Sequence, residues 1–174
     1  MFKEMVRETQ TTTGLGKKMT LLIVAKFFLE NPLVAFRPTQ VARNLRRPEK
    51  TIYRTIQILI QWKLIEEYDG MYILNVDSIE GKNPTRKLSG TGSIAILHFL
   101  LPGKSFYSGE LRLLTGLRSL QRAKAKLISS KLINSEDETD LFGESFLWQL
   151  TPKIQIKLAQ AQNHLRGLRR IYGK

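Results

Sequence analysis

The stretch LIQWKLI at residues 59–65 returns as LISSKLI at residues 127–133, 68 positions further on. Each closes a segment with helical spacing of apolar residues, and each is followed by acids. Aligning TIYRTIQILIQWKLI (51–65) with SLQRAKAKLISSKLI (119–133) gives six identities: Arg54 with Arg122, Leu59 with Leu127, Ile60 with Ile128, Lys63 with Lys131, Leu64 with Leu132 and Ile65 with Ile133. Thr51 with Ser119 and Ile52 with Leu120 are close. Upstream, FRPTQVARNL (36–45) falls opposite FYSGELRLLT (106–115), and IVAKFFLENP (23–32) opposite IAILHFLLPG (94–103). Three blocks in one order, separated by small gaps, point to a single unit used twice.

In the first copy KMTLLIVAKFFLE (18–30) is a strongly apolar helix that Asn31-Pro32 ends. Pro38-Thr39 opens a short second helix, PTQVARNLRR, with Val41, Ala42 and Leu45 inward. Pro48 suits the first turn of a third helix, and Glu49 complements its dipole. That helix runs to about Trp62, with Ile52, Ile56, Leu59 and Ile60 facing the core. Asp69-Gly70, between two β-prone runs, signals a two-residue hairpin. The second copy reads alike. GSIAILHFLL is its first helix and SFY a short strand. SGELRLLTG is its second helix, with Ser108 as N-cap and Gly116 as stop. LRSLQRAKAKLISS is its third helix, and the stretch from Lys131 to Lys153 a longer hairpin. A final helix begins with Thr151 as cap and Pro152 at its first position.

The 174 residues suffice for one large domain or two small ones. No run of about 18 apolar residues occurs, so no membrane span is expected. The N-terminus lacks the apolar core of a secretory signal. With no cysteine there is no disulfide framework, thiol chemistry or cysteine metal site. The formal charge of +13, with a pI near 10.2, points to a polyanion as partner.

The order helix, strand, helix, turn, helix, hairpin resembles the winged helix-turn-helix family. The residues carrying the match are LIQWKLI and LISSKLI, each running into a hairpin strand, together with FLWQLTPK (146–153). The last is similar to the aromatic-x-Leu-Thr-Pro exit from the wing in multiple-antibiotic-resistance-type regulators. The resemblance covers roughly residues 17–76 and 92–172. It implies a mainly α fold with small β-hairpin wings (α+β): two tandem winged helix-turn-helix domains plus a C-terminal helix. The expected divisions are a flexible arm (1–16), the first winged-helix domain (17–76), a linker (77–92), the second domain (93–151) and a basic C-terminal helix (152–174). It also implies double-stranded DNA as partner, with each third helix in the major groove.

The residue chemistry agrees with that expectation. Between 111 and 135 Arg112, Arg118, Arg122, Lys124, Lys126 and Lys131 occur without an acid. Arg118, Ser119, Gln121, Arg122 and Ala125 are expected along one helical face. Arg and Gln reach guanine and adenine edges bidentately, and Ser adapts to either. Lys124 and Lys126 flank that face and suit phosphates. In the first copy Arg46, Arg47, Lys50, Thr51, Tyr53, Arg54 and Gln57 are expected to do the equivalent work. The bland alternative is a solvated face with snorkelling cations.

The wings depart from the family pattern. The first, EEYDGMY, carries no base. The second carries Glu136, Asp137, Glu138, Asp140 and Glu144, which would repel phosphates. A protein partner on the acidic wing 136–144 is therefore an expectation, and wing contacts to DNA are not. In the C-terminal helix Ile154, Leu158, Ala161, Leu165, Leu168 and Tyr172 form an a/d seam. It serves a homodimer through 152–172 or packing on its own domain equally well.

Other candidates carry no site. GLGKKMT (14–20) lacks the first Gly of a phosphate loop and its Ser or Thr. SGTGS (89–93) follows no strand and reads as linker. His98 and His164 sit in different helices, His98 as a core or edge residue, and no cluster has metal spacing. No enzyme, cofactor or metal is expected. Three functions stay open: a transcription regulator, cytoplasmic and nucleoid-associated; a replication initiator or partition protein of a genome, plasmid or virus; and a tandem winged-helix adaptor that binds proteins.

Overall fold

The computed structural model describes residues 13–82, 92–134 and 146–173. Most of the expected arm, residues 83–91 of the expected linker and the acidic stretch 136–144 lie outside the described residues. Over the described residues the chain is mainly helical, with two small antiparallel two-stranded sheets. The elements of the first half are α1 (Thr13–Glu30), α2 (Pro38–Leu45), α3 (Glu49–Gln61), β1 (Ile65–Tyr68), β2 (Met71–Leu74) and α4 (Val76–Ile79). Those of the second are α5 (Gly92–Leu100), β3 (Phe106–Tyr107), α6 (Ser108–Thr115), α7 (Gln121–Ser129), β4 (Leu147–Trp148) and α8 (Pro152–Tyr172).

The repeated heptad is a helix ending. Lys63 (φ 56) and Lys131 (φ 60) both adopt the left-handed conformation just past their helices. In the first copy the Leu64 N–H reaches back to the Leu59 carbonyl (3.0 Å), and Lys63 N–H to Ile60 (2.9 Å). In the second, Leu132 reaches Leu127 and Lys131 reaches Ile128, both at 3.0 Å. These paired bonds are a Schellman motif, which satisfies the last carbonyls of a helix. Its usual apolar contact falls between Leu64 and Leu59, and between Leu132 and Leu127, all fully buried. The spelling L-I-x-x-K-L-I thus places two core leucines on either side of the chain reversal.

A side chain in the left-handed region costs about 1–2 kcal/mol, whereas glycine loses roughly 0.5–1 kcal/mol more chain entropy on folding. Lys131→Gly should therefore stabilise by about 0.5 kcal/mol, and Lys131→Val should cost about 2 kcal/mol, because a β-branched residue fits there worst. Urea midpoints of the three proteins check this, and a glycine variant weaker than the valine variant would refute it.

The duplication continues past the helices. In the first half β1 and β2 pair with Ile65 opposite Leu74 and Tyr68 opposite Met71. Asp69 (φ 49) and Gly70 (φ 75) supply the two positive φ values that a type I′ turn needs, as the Asp-Gly pair leads one to expect. Phe36 adds a bridge to Tyr72. In the second half Phe106 pairs with Trp148, and Ile133 bridges Leu150. Asn75 N–H then bonds Leu64 (2.8 Å), and Thr151 N–H bonds Leu132 (3.0 Å), each just before a following helix. So α4 and α8 are counterparts, one a single turn and the other 21 residues long.

One hydrophobic cluster runs through both halves. Apolar almost all round, α1 packs against α3, β2, α7 and α8. All of the turn α4 but Val76 falls in the expected linker, yet Ser78 and Ile79 are buried. From the far end of the chain α8 reaches back onto it: Gln162 Nε2 donates to the Ile79 carbonyl (2.9 Å), and Arg169 holds Glu80 through two contacts of 2.6 and 3.1 Å. Ile154, Leu158 and Ala161 of the expected seam are buried, whereas Leu168 and Tyr172 are exposed. Its first half is thus occupied by the chain's own core.

His98, expected as a core or edge histidine, is 6% exposed in α5. Burial lowers its pKa below the ordinary 6.5, opposed by a hydrogen bond with the Trp62 backbone. Among the described residues its Nε2 has no partner. The neutral ring is the species the fold holds. Its contribution to stability is complete above about pH 6.5 and is lost as the pH falls through that value towards the lower folded pKa. The urea midpoint should drop between about pH 8 and pH 5, and by less in His98→Leu; equal drops would refute it.

Candidate nucleic-acid interface

The segment α2–turn–α3 is built by its ends. Pro38 opens α2, and Gln40 Oε1 accepts the Arg37 N–H (2.9 Å), one half of a capping box. Arg46 is left-handed (φ 52), and Arg47 N–H returns to the Ala42 carbonyl (3.0 Å), which stops α2. Arg47 is half-buried and donates from Nη1 to Thr20 Oγ1 on α1 (2.7 Å). It was expected to contact DNA, but its guanidinium turns inward to this buried hydroxyl. It fixes the turn to the body.

Pro48 and Glu49 then start α3. Ile52, Thr55, Ile56 and Leu59 are buried. Lys50, Tyr53, Arg54, Ile58 and Gln61 are exposed on the opposite side, and Arg46 is exposed in the turn before them. Thr51 is half-buried, and its carbonyl accepts the Thr55 hydroxyl (2.8 Å). Gln57 is also half-buried. Its side chain hydrogen-bonds the Tyr72 hydroxyl on β2 and thereby opposes the burial that raises that phenol's pKa. Gln57 therefore ties the hairpin to α3 and presents less of itself outward than spacing alone suggests.

Ile58 is not among the residues expected on this face. Its signal was available, since residue 58 falls opposite the core positions 52, 56 and 59 and yet is aliphatic. It is 42% exposed, beside Arg54 and Gln61.

The second copy departs from expectation at the start of its third helix. Arg118 and Ser119 were placed on the helical face, but α7 begins only at Gln121, with Leu120 as N-cap. The aligned ending would start it at residue 117. There, the counterparts of Pro48 and Glu49 are Gly116 and Leu117, neither proline nor acid, and the Arg118 that follows is a cation that opposes the dipole of a helix N-terminus. Leu117 is instead seated against Gly92, where a Cβ would lie 2.7 Å from its Cδ1. Leu120 is buried. Arg118 and Ser119 are therefore exposed in the connecting loop.

On α7 itself Gln121, Arg122, Ala125 and Ser129 are exposed. Lys124 and Lys126 are half-buried, and the Lys124 ammonium lies 3.8 Å from the centre of the Phe146 ring, a cation–π contact. Expected as a phosphate contact, Lys124 is turned towards an aromatic side chain by its own fold. Arg54 and Arg122 remain exposed at aligned positions on both third helices.

The second helices differ. Phe36 and Phe106 occupy matching bridges, and Arg46 and Gly116 matching left-handed stops. Counting from them, Leu113 and Leu114 replace Arg43 and Asn44. Leu113 is 88% exposed. The outward side of α2 is polar and basic, where that of α6 sets two exposed leucines beside Glu110 and Arg112.

A cleft of about 370 Å³ lies between α1, the end of α2 and the end of α7, lined by Met19, Ile23, Phe27 and Leu45. Its Lys26 and Glu30 pair with each other at 3.6 Å. Among the described residues no group of three His, Asp or Glu could hold a metal ion, and no helix is long and apolar enough to cross a membrane. No protein-family model, no curated protein and no solved structure matches the chain.

Proposed function

We infer that the chain binds double-stranded DNA through two tandem winged-helix units and acts as a transcription regulator, in the cytoplasm on the nucleoid. The observation that carries this reading is the pair of aligned third helices. Each buries an apolar side and turns a polar, arginine-bearing side to solvent, Arg54 on α3 and Arg122 on α7. The formal charge of +13 supports it, because a duplex attracts such a surface from any direction. In this reading Lys50, Tyr53 and Arg54 face base edges and phosphates from α3. Gln121 and Arg122 do so from α7, while Arg46, Arg118 and Ser119 hold phosphates from the turns.

The test is affinity for a random duplex pool across a salt series, followed by selection from that pool. The expected result is a steep log–log fall, near 0.9 per phosphate contact, and enrichment of a defined sequence. Absence of binding at about 0.15 M salt would overturn it.

A protein-binding adaptor is the second reading, favoured by the exposed Tyr107, Leu113 and Leu114 around α6. A stable hetero-complex without DNA affinity would decide for it. A homodimer through 152–172 would rest on Ile156, Leu168, Ile171 and Tyr172, large apolar residues that α8 leaves exposed.

A further inference from the structure

We propose that Ile58 is a specificity-determining residue that reads the C5-methyl group of a thymine in the major groove; the assignment rests on the DNA-binding reading above. Ile58 is not needed by the core, whose α3 positions are filled by Ile52, Ile56 and Leu59. It stands one helical turn beyond Arg54 and one before Gln61, and shares their side of the helix. Its branched aliphatic group has neither donor nor acceptor, so it gains nothing from base nitrogens or oxygens and loses by displacing their water. Along the floor of the major groove a thymine methyl is the apolar group that unmodified bases present. An isoleucine held among groove-facing polar side chains therefore discriminates for thymine by burial alone. Arg54, one turn back on the same face, fits the guanine edge of a neighbouring pair. The aligned residue of α7 is Lys126, so this aliphatic contact belongs to the first copy.

The experiment uses the full chain and duplexes selected from a random pool, resynthesised with uracil in place of thymine at one position at a time. Uracil removes only the methyl group and keeps every hydrogen-bonding atom. Wild-type affinity should fall about fourfold at one position, the value of one buried methyl. Ile58→Ala should bind the thymine duplex more weakly and show no further loss with uracil, while Ile58→Val should keep part of the discrimination. Both substitutions are at an exposed site, so folding is retained. Equal uracil effects in wild type and Ile58→Ala, or no uracil effect at any position, overturn the assignment while DNA binding stands. Failure to bind or select any duplex overturns this assignment together with the reading on which it rests.

Discussion

The double variant Arg54→Glu, Arg122→Glu is expected to lose at least about a hundredfold in affinity for duplex DNA. A good bidentate arginine contact contributes about 1–3 kcal/mol of discrimination, and two of them multiply to roughly a hundredfold or more. Each glutamate adds repulsion from the phosphates. Both side chains are exposed, and no shift in stability beyond about 0.5 kcal/mol is expected. Salt-resolved binding isotherms and urea midpoints give both quantities. Wild-type affinity in a folded double variant would remove the third helices from the interface.

Trp148→Ala is expected to destabilise the chain by about 3–5 kcal/mol, a large share of an ordinary folding free energy. Trp148 is fully buried, pairs with Phe106 in the ladder and stacks edge-on against Phe146 with ring centroids 5.4 Å apart. Its Nε1 donates to Ser108 Oγ at 2.9 Å. Alanine leaves a cavity and removes that donor, whereas Trp148→Phe keeps most of the packing and should cost less. Trp62 then remains as the single tryptophan, buried at the end of α3 in the other half. Because one core serves both halves, Trp62 fluorescence should report the lowered urea midpoint. A Trp62 transition at the wild-type midpoint would mean that the halves unfold separately.

What could be read from the chain is what depends on neighbours in sequence. The two helix endings, the Asp69-Gly70 turn, the start of α2 at Pro38 and the start of α8 at Pro152 follow from local capping and turn chemistry. The side of α3 bearing Lys50, Tyr53 and Arg54 follows from helical spacing. What could not be read depends on partners brought from far away. Ser108, expected to cap α6, is instead its first residue and receives the Trp148 indole from forty positions on. Arg47 is drawn to Thr20, Gln57 to Tyr72 and Lys124 to the Phe146 ring. Arg118 and Ser119 are a local exception: they lie before the helix because capping signals are absent there, which residue spacing does not register. The a/d seam of α8 was ambiguous for the same reason: spacing defines an apolar side but not what will cover it.

The return of α8 onto α1 and α4 bears on how the molecule is made. A ribosome releases α1, whose buried face includes Leu22, Ala25, Phe28 and Leu29, long before it completes the segment that α8 comprises. Through that interval α1 can cover itself with α3 and β2, but the surface reserved for α8 stays open to water. The first half therefore emerges as an unfinished body that is closed only after synthesis has passed residue 172. Slow translation of the second half lengthens the time in which that apolar surface is available to other chains, and ribosome-bound intermediates arrested before α8 are where aggregation of this protein should begin.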